Sequence, residues 1–207
     1  MMKYITVLFI SFQFIAFSQE TELSSSEATK FRTMVEKGTK DLKSIKTDFV
    51  QNKHMEFLTN DIESKGKMYL NAEGMLRWQY TEPNKYSIIF KNNKIYIDDN
   101  GKKSTVDGDQ KMFQKISKLI SGSVKGDLFD DDEFNISYFK KDDNILVKLT
   151  PKNKEMTKYI SQVVLTFPKN DSTVSQVKLI EPSGDYTLIT FINKQLNVPI
   201  DKSVFSH

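Results

Sequence analysis

Few side chains in this sequence have the type and spacing that catalysis requires. The chain has no cysteine and two histidines, His54 and His207. Disulfides and thiol catalysis are therefore excluded, and a zinc site would need carboxylate ligands. Neither histidine belongs to an HExxH pattern or a nucleophile-elbow motif, and no glycine-rich phosphate loop is present. We expect surface histidines, no metal, no cofactor and no enzymatic activity.

The charged residues argue against nucleic-acid binding. The chain has 30 Lys and Arg residues and 27 Asp and Glu residues, which gives a net charge of +3. It has no basic tract of five or more residues. The one acidic block, residues 130–133, lacks the glycine-spaced pattern of a calcium loop. It predicts a solvated loop.

The residues best suited to binding are apolar and share one face of a predicted hairpin. In residues 66–83, Leu76, the single tryptophan Trp78 and Tyr80 alternate with polar neighbours until Pro83. Such a face needs an apolar cover, which is either the protein's own core or an apolar ligand. Ordinary core packing stays open for each residue. The residues expected to face a cavity are Leu76, Trp78, Tyr80, Ile88 and Phe90.

One helix and eleven strands are predicted to position this face. A capping box at Ser24 and Glu27 begins a helix whose apolar stripe is Ala28, Phe31, Val35, Leu42 and Ile45. After Ile45 the period changes to two, and tight turns indicate an antiparallel meander. Several strands are apolar on both faces, which indicates a sheet that wraps onto itself or lies under helices. The predicted strands are 46–57, 63–71, 74–80, 85–90, 93–98, 101–107, 134–140, 144–150, 158–168, 173–182 and 184–193.

A second amphipathic helix interrupts the strands between about 109 and 121. Its apolar side carries Phe113, Ile116, Leu119 and Ile120. An amphipathic helix inserted in a meander predicts either a plug in the core or a movable lid.

The N-terminus has the pattern of an export signal. Lys3 precedes an uncharged, mostly apolar run, and Ala16 and Ser18 suit a cleavage site before Gln19. The run is too short to cross a bilayer comfortably, although a retained anchor is the alternative. We expect residues 1–18 to be cleaved and residues 19–207 to form a single soluble domain.

Several segments together resemble the LolA family of periplasmic lipoprotein carriers. Residues 45–53 resemble its Phe-x-Gln strand, and residues 66–70 and 76–83 its Gly-x-Leu/Met and Trp–Pro hairpin. Residues 149–152 and 191–193 resemble its Leu-Thr-Pro strand end and its closing strand. The resemblance covers nearly all of the chain after residue 18, and Phe49 joins the expected cavity residues.

This resemblance implies a mainly β fold: a half-open antiparallel β-barrel covered by the N-terminal helix and the inserted lid helix. It implies a monomeric periplasmic carrier of acylated lipoproteins, without a cofactor. Its partners would be an inner-membrane ABC transporter that releases lipoproteins and, where one exists, an outer-membrane acceptor.

One position departs from the family pattern. Many members have an arginine in the hairpin turn that is thought to hold the lid, whereas this chain has Ala72. Arg77 alternates to the face opposite Trp78, so it is not expected to replace that arginine. Two alternative functions keep the fold, namely a carrier of another lipid or acyl intermediate and a regulatory protein that senses lipoproteins.

Overall fold

The computed structural model describes residues 19–107, 129 and 131–207. Residues 1–18 lie outside the described residues, so the signal peptide and its cleavage stay predictions. The same holds for the predicted lid-helix residues Phe113, Ile116, Leu119 and Ile120.

Twelve strands within the described residues form one antiparallel sheet. Their order is β1-β8-β9-β10-β11-β12-β2-β3-β4-β5-β6-β7, so β1 and β7 are the edges and the sheet stays open. The eleven predicted strands are confirmed with shifted ends, and the two-residue β1 was not predicted. The strands are β1 (Thr21–Glu22), β2 (Ser44–His54), β3 (Ile62–Asn71), β4 (Leu76–Glu82), β5 (Tyr86–Lys91), β6 (Lys94–Asp99), β7 (Lys102–Asp107), β8 (Phe134–Lys141), β9 (Asn144–Pro151), β10 (Gln162–Pro168), β11 (Gln176–Ile180) and β12 (Tyr186–Leu196).

Helix α1 (Ser25–Lys40) begins where the sequence predicts. Ser24 and Glu27 form the capping box, each side chain bonding the other residue's backbone N–H. The predicted continuation of the helical stripe to Leu42 and Ile45 is wrong. The helix ends at Lys40, and Ile45 belongs to β2.

Two short helical segments were not predicted. Helix α2 (Lys154–Thr157) follows β9, so β10 begins at Gln162 and not at residue 158 as predicted. A 3-10 helix (Lys202–Phe205) ends the chain.

The concave face of the sheet carries two apolar clusters. The first lies under α1, where the buried Phe31 and Val35 meet Phe167 and Tyr138 of the sheet. Phe31 and Phe167 pack edge to face with their ring centroids 5.1 Å apart. The second cluster lies on β2 to β4 and includes Phe49, Leu70 and Trp78. For clarity we call these the α1 cluster and the hairpin cluster.

A third cluster on the convex face explains why β5 is apolar on both sides. Ile89 alternates with Ile88 and Phe90 and is buried on the opposite face. It packs with Met75 and with Phe205 of the 3-10 helix. The C-terminal segment therefore covers the outer face of the sheet, which sequence reasoning did not anticipate.

Candidate functional site

An apolar cavity lies where the α1 cluster and the hairpin cluster meet. Strands β2, β3 and β4 supply one wall, and β10, β11 and β12 supply the other. Thr47, Thr173 and Lys194 contribute the polar groups of the lining. The apolar lining residues are Ile45, Met68, Trp78, Val163, Leu165, Val174, Val177, Leu179, Ile189 and Phe191.

The space between these described side chains is small. The volume open to the centre of a water-sized sphere is about 60 Å³. Pockets that enclose whole small molecules usually measure roughly 300–1,000 Å³. The described residues therefore form a nearly closed apolar seam, and a cavity large enough for a ligand would require the side chains of the two walls to move apart.

A wider depression lies outside the α1 cluster, beside α1 and β1. Its volume is about 410 Å³, and Phe31 and Met34 contribute apolar surface to it. Its rim carries charges of both signs, including Glu27, Lys30 and Asp143. This depression is open to water and its rim is charged, so its lining is less apolar than that of the cavity.

Trp78 is the aromatic centre of the hairpin cluster and lines the cavity. Its ring stacks on Phe49 with a centroid separation of 4.1 Å, and Phe191 meets it edge to face at 6.2 Å. Trp78 is directly opposite Met68 on β3 and Ile88 on β5, so these three side chains share one face. The alternation predicted from the sequence is confirmed here.

The Phe49 ring occupies the place that a side chain at residue 66 would take. Phe49 and Gly66 are cross-strand partners, and a Cβ atom at Gly66 would lie 2.4 Å from the ring and 2.1 Å from the Gln79 carbonyl oxygen. The missing side chain lets the ring lie flat over the strand and reach Trp78. This contact gives a physical reason for the Phe-x-Gln and Gly-x-Met segments.

Tyr80 turns a polar end toward the same cluster. Its hydroxyl donates a 2.9 Å hydrogen bond to the Gln51 side-chain oxygen. Burial raises the pKa of the Tyr80 hydroxyl, and this effect outweighs hydrogen bonding with Trp78 and Gln51. The hydroxyl is therefore protonated at neutral pH.

The predicted cavity residues differ in whether they line the cavity in the structure. Trp78 lines the cavity, whereas Phe49 and Leu76 are buried behind it in the hairpin cluster. Tyr80 and Phe90 pack against that cluster, and Ile88 is half-buried on the same face. Contact between any of these residues and a ligand stays a prediction.

Sequence reasoning missed the wall formed by β10, β11 and β12. Val163 and Leu165 belong to the predicted strand 158–168, but nothing in the alternation indicated that they line the same cavity as Trp78. Lys194 was missed because a β-bulge lies between Ile192 and Gln195 and breaks the alternation there.

The two histidines are at the surface, as expected. His54 bonds Asp61 at 2.8 Å and stacks on Tyr186, and His207 bonds the Ile97 carbonyl oxygen at 3.0 Å. Within residues 19–107, 129 and 131–207, no group of three or more His, Asp or Glu side chains is placed to hold a metal ion.

In the acidic block Asp131 and Asp132 are exposed and Glu133 is half-buried, and the block makes structural contacts. Asp131 pairs with Arg32 of α1 at 2.7 Å, while its side chain stays 60% exposed. No helix in the described part of the chain has both the length and the apolar character needed to cross a bilayer.

An unclosed antiparallel sheet with an apolar seam on one face defines the class of half-open β-barrel folds. Residues 40–207 match the sequence model of one family of this class, described as "Outer membrane lipoprotein carrier protein LolA". The chain belongs to the LolA family.

Individual relatives carry the same description at low identity. An outer-membrane lipoprotein carrier protein of Pseudoalteromonas translucida is 26% identical over 165 residues, covering 79% of this chain and 76% of the relative. A protein of that name from Francisella tularensis subsp. novicida is 26% identical over 207 residues, covering 99% and 92%.

Solved structures share the fold. An uncharacterized conserved protein from Thermus thermophilus superposes with a TM-score of 0.53 at 7% identity, covering 87% of this chain and 93% of the other. At that identity the likeness concerns the fold alone.

Proposed function

We propose that this protein is a periplasmic carrier that binds the acyl chains of lipoproteins in the apolar seam and moves them from the inner to the outer membrane. The observation that carries the proposal is the seam itself, with ten apolar residues from two parts of one continuous sheet around a space that is not fully packed. Membership of the LolA family and the names of the relatives support lipoproteins as the cargo.

An apolar seam suits a carrier that must release its cargo. Transfer of acyl chains out of water drives binding without directional bonds, so affinity follows buried area. Release then needs only a second apolar environment, and no covalent step or cofactor. On this account the protein is a binding protein and not an enzyme.

The small volume of the seam fits a protein that closes when empty. Separated walls would expose apolar side chains such as Leu165 and Val177 to water, at a cost of roughly 25 cal/mol for each Å². Closure removes that cost, and cargo replaces the wall-to-wall contacts when the seam opens. We infer that the side chains of β10 and β11 move away from those of β3 and β4 during loading, while β12 and β2 stay paired.

The proposed partners follow from this route. Cargo would be received from an ABC transporter of the inner membrane and delivered to the outer membrane, directly or through an acceptor. The protein would act alone in the periplasm, after removal of residues 1–18.

The test is whether the protein removes an acylated lipopeptide from membranes. The probe is a diacylated peptide in liposomes, with the same peptide lacking its acyl chains as the reference. We expect purified protein to bring the acylated peptide into the supernatant after the liposomes are sedimented. Failure to do so at any protein concentration would contradict the proposal.

A cavity-filling variant locates the binding site. Val177→Phe places extra volume in the seam, whereas Val204→Phe adds the same volume at the convex cluster. We expect the first variant to extract less acylated peptide and the second to match the wild type, with unfolding midpoints measured for both. Equal extraction by all three proteins would place the site elsewhere.

A further inference from the structure

Lys194 is a cation placed at an otherwise apolar seam. Its side chain is 19% exposed and lines the cavity. The ammonium group contacts the Thr173 hydroxyl, the Val174 carbonyl oxygen at 3.3 Å and an Asp171 carboxylate oxygen at 3.4 Å. Burying a lysine beside apolar walls is costly unless the charge has partners, so this placement calls for a reason.

A β-bulge in β12 places the Lys194 side chain at the seam. Phe191 points into the seam, so strict alternation would turn residue 194 to the convex face. The bulge between Ile192 and Gln195 adds a residue, and Asn193 takes a positive φ of 54° within it. The following side chain is thereby returned to the concave face.

Two side chains of β2 hold this bulge. The Thr47 hydroxyl donates to the Ile192 carbonyl oxygen at 2.8 Å, and the Asn193 amide donates to Asp48 at 2.9 Å. Hydrogen bonding by Asn193 and by Lys67 lowers the pKa of Asp48, so its carboxylate is charged at neutral pH. Lys194 is therefore held at the seam by built contacts and is not a mobile surface chain.

The charge of Lys194 is balanced by Asp171. That carboxylate accepts hydrogen bonds from the Thr173 backbone N–H at 2.8 Å and hydroxyl at 2.7 Å. Burial acts to raise the pKa of Asp171, but the Thr173 bonds and the charge of Lys194 outweigh it and the pKa is lowered. The pair is ionised and has no net charge.

We propose that Lys194 is a head-end subsite that donates a hydrogen bond to the neutral carbonyl of an ester- or amide-linked acyl chain and disfavours a free carboxylate. This inference rests on the proposed function, because it requires acyl chains in the seam. It adds the chemical form of the chain that the protein selects.

The expected preference for a carbonyl over a carboxylate follows from the charge balance between Lys194 and Asp171. A neutral carbonyl needs one N–H donor, which Lys194 can supply by giving up its long contact with Val174 or Asp171. A carboxylate would meet no net positive charge, would lie near the Asp171 carboxylate, and would lose its own hydration in an apolar site. The seam should therefore accept chains that are covalently attached, as in an acylated protein, over free fatty acids.

The test compares two probes and two variants. The probes are a fluorescent polyene fatty acid and its methyl ester, titrated below their critical concentrations into the full mature protein. Lys194→Met keeps the chain length and removes the donor, and we expect it to weaken ester binding by roughly 3- to 10-fold. Asp171→Asn keeps an acceptor for Thr173 and leaves Lys194 unbalanced, so we expect carboxylate affinity to rise by about 5-fold or more with ester affinity unchanged.

The outcomes separate the subsite from the binding function. If wild type binds both probes but neither variant changes the ratio of ester to carboxylate affinity, Lys194 is only structural and the inference is overturned. If Lys194→Met unfolds, the change of ratio in Asp171→Asn decides alone. If wild type binds neither probe and no acylated peptide, the proposed function fails and this inference fails with it.

Discussion

The side chains at the seam could be predicted only where the alternation of the strands is regular. Leu76, Trp78 and Tyr80 share a face in the sequence and in the structure, because β4 pairs in regular register from Leu76 to Tyr80. Lys194 could not be predicted, because the bulge reverses the side on which it points. Whether a residue such as Leu76 touches ligand or only its neighbours depends on the opposite wall, which alternation does not describe.

At the residue scale, Gly66 is expected to tolerate no side chain. In Gly66→Ala the new Cβ would meet the Gln79 backbone oxygen and the Phe49 ring, so both must move. We expect a loss of about 1–3 kcal/mol in the free energy of unfolding, measured by urea denaturation. Lys65→Ala, at the exposed neighbouring position, should change stability by less. A stability equal to wild type in Gly66→Ala would show that the ring is not fixed there.

At the scale of elements, the start of α1 was predictable and its end was not. The capping box is a local pattern of Ser24 and Glu27, so sequence alone locates it. Leu42 and Ile45 continue the helical spacing, yet both are buried in the hairpin cluster beyond the helix, with Ile45 on β2. Tertiary burial explains their apolar character, and the periodicity was accidental. The strand β1 is too short to leave a pattern.

The capping box of α1 gives a testable prediction for the stability of this helix. Ser24→Ala removes the acceptor for the Glu27 backbone N–H and the hydroxyl that donates to the Glu27 carboxylate. We expect a loss of about 1 kcal/mol in the free energy of unfolding. The matched change Ser26→Ala lies within the first turn and should be neutral or slightly stabilising, because alanine favours helix. Equal effects of the two variants would mean that the capping box contributes nothing measurable.

At the scale of the whole molecule, the seam and the C-terminal cover lie on opposite faces of one sheet. Neighbouring strands take part in the two faces, since Leu76 of β4 is buried in the hairpin cluster and Ile89 of β5 is buried beside Phe205. The Arg77 guanidinium donates a 2.9 Å hydrogen bond to the Val204 carbonyl oxygen, which fixes the cover. The antiparallel meander was predictable from the strands and tight turns, and the half-open barrel was implied by the family resemblance. Contact between the last residues and the convex face is long-range and had no local signal.

The C-terminal segment that covers the convex face is expected to contribute to stability and not to ligand binding. Phe205→Ala removes a fully buried ring from the convex cluster and should cost about 3–5 kcal/mol of unfolding free energy. The folded fraction of Phe205→Ala should extract as much acylated peptide as the wild type does. Phe57→Ala removes an equal ring that is 79% exposed and should change neither property. Loss of extraction by folded Phe205→Ala would connect the convex face to cargo.

The most direct measurement uses Trp78, which is the single tryptophan of the chain and lines the seam. Acyl chains brominated along their length quench an indole that they touch, so the fluorescence of the unmodified protein reports whether acyl chains enter. We expect saturable quenching of Trp78 by a brominated acyl ester. An unbrominated acyl ester should reverse the quenching, and Val177→Phe should reduce it. Unchanged Trp78 emission at saturating acyl ester, in folded protein, would contradict the claim that the seam opens to hold acyl chains.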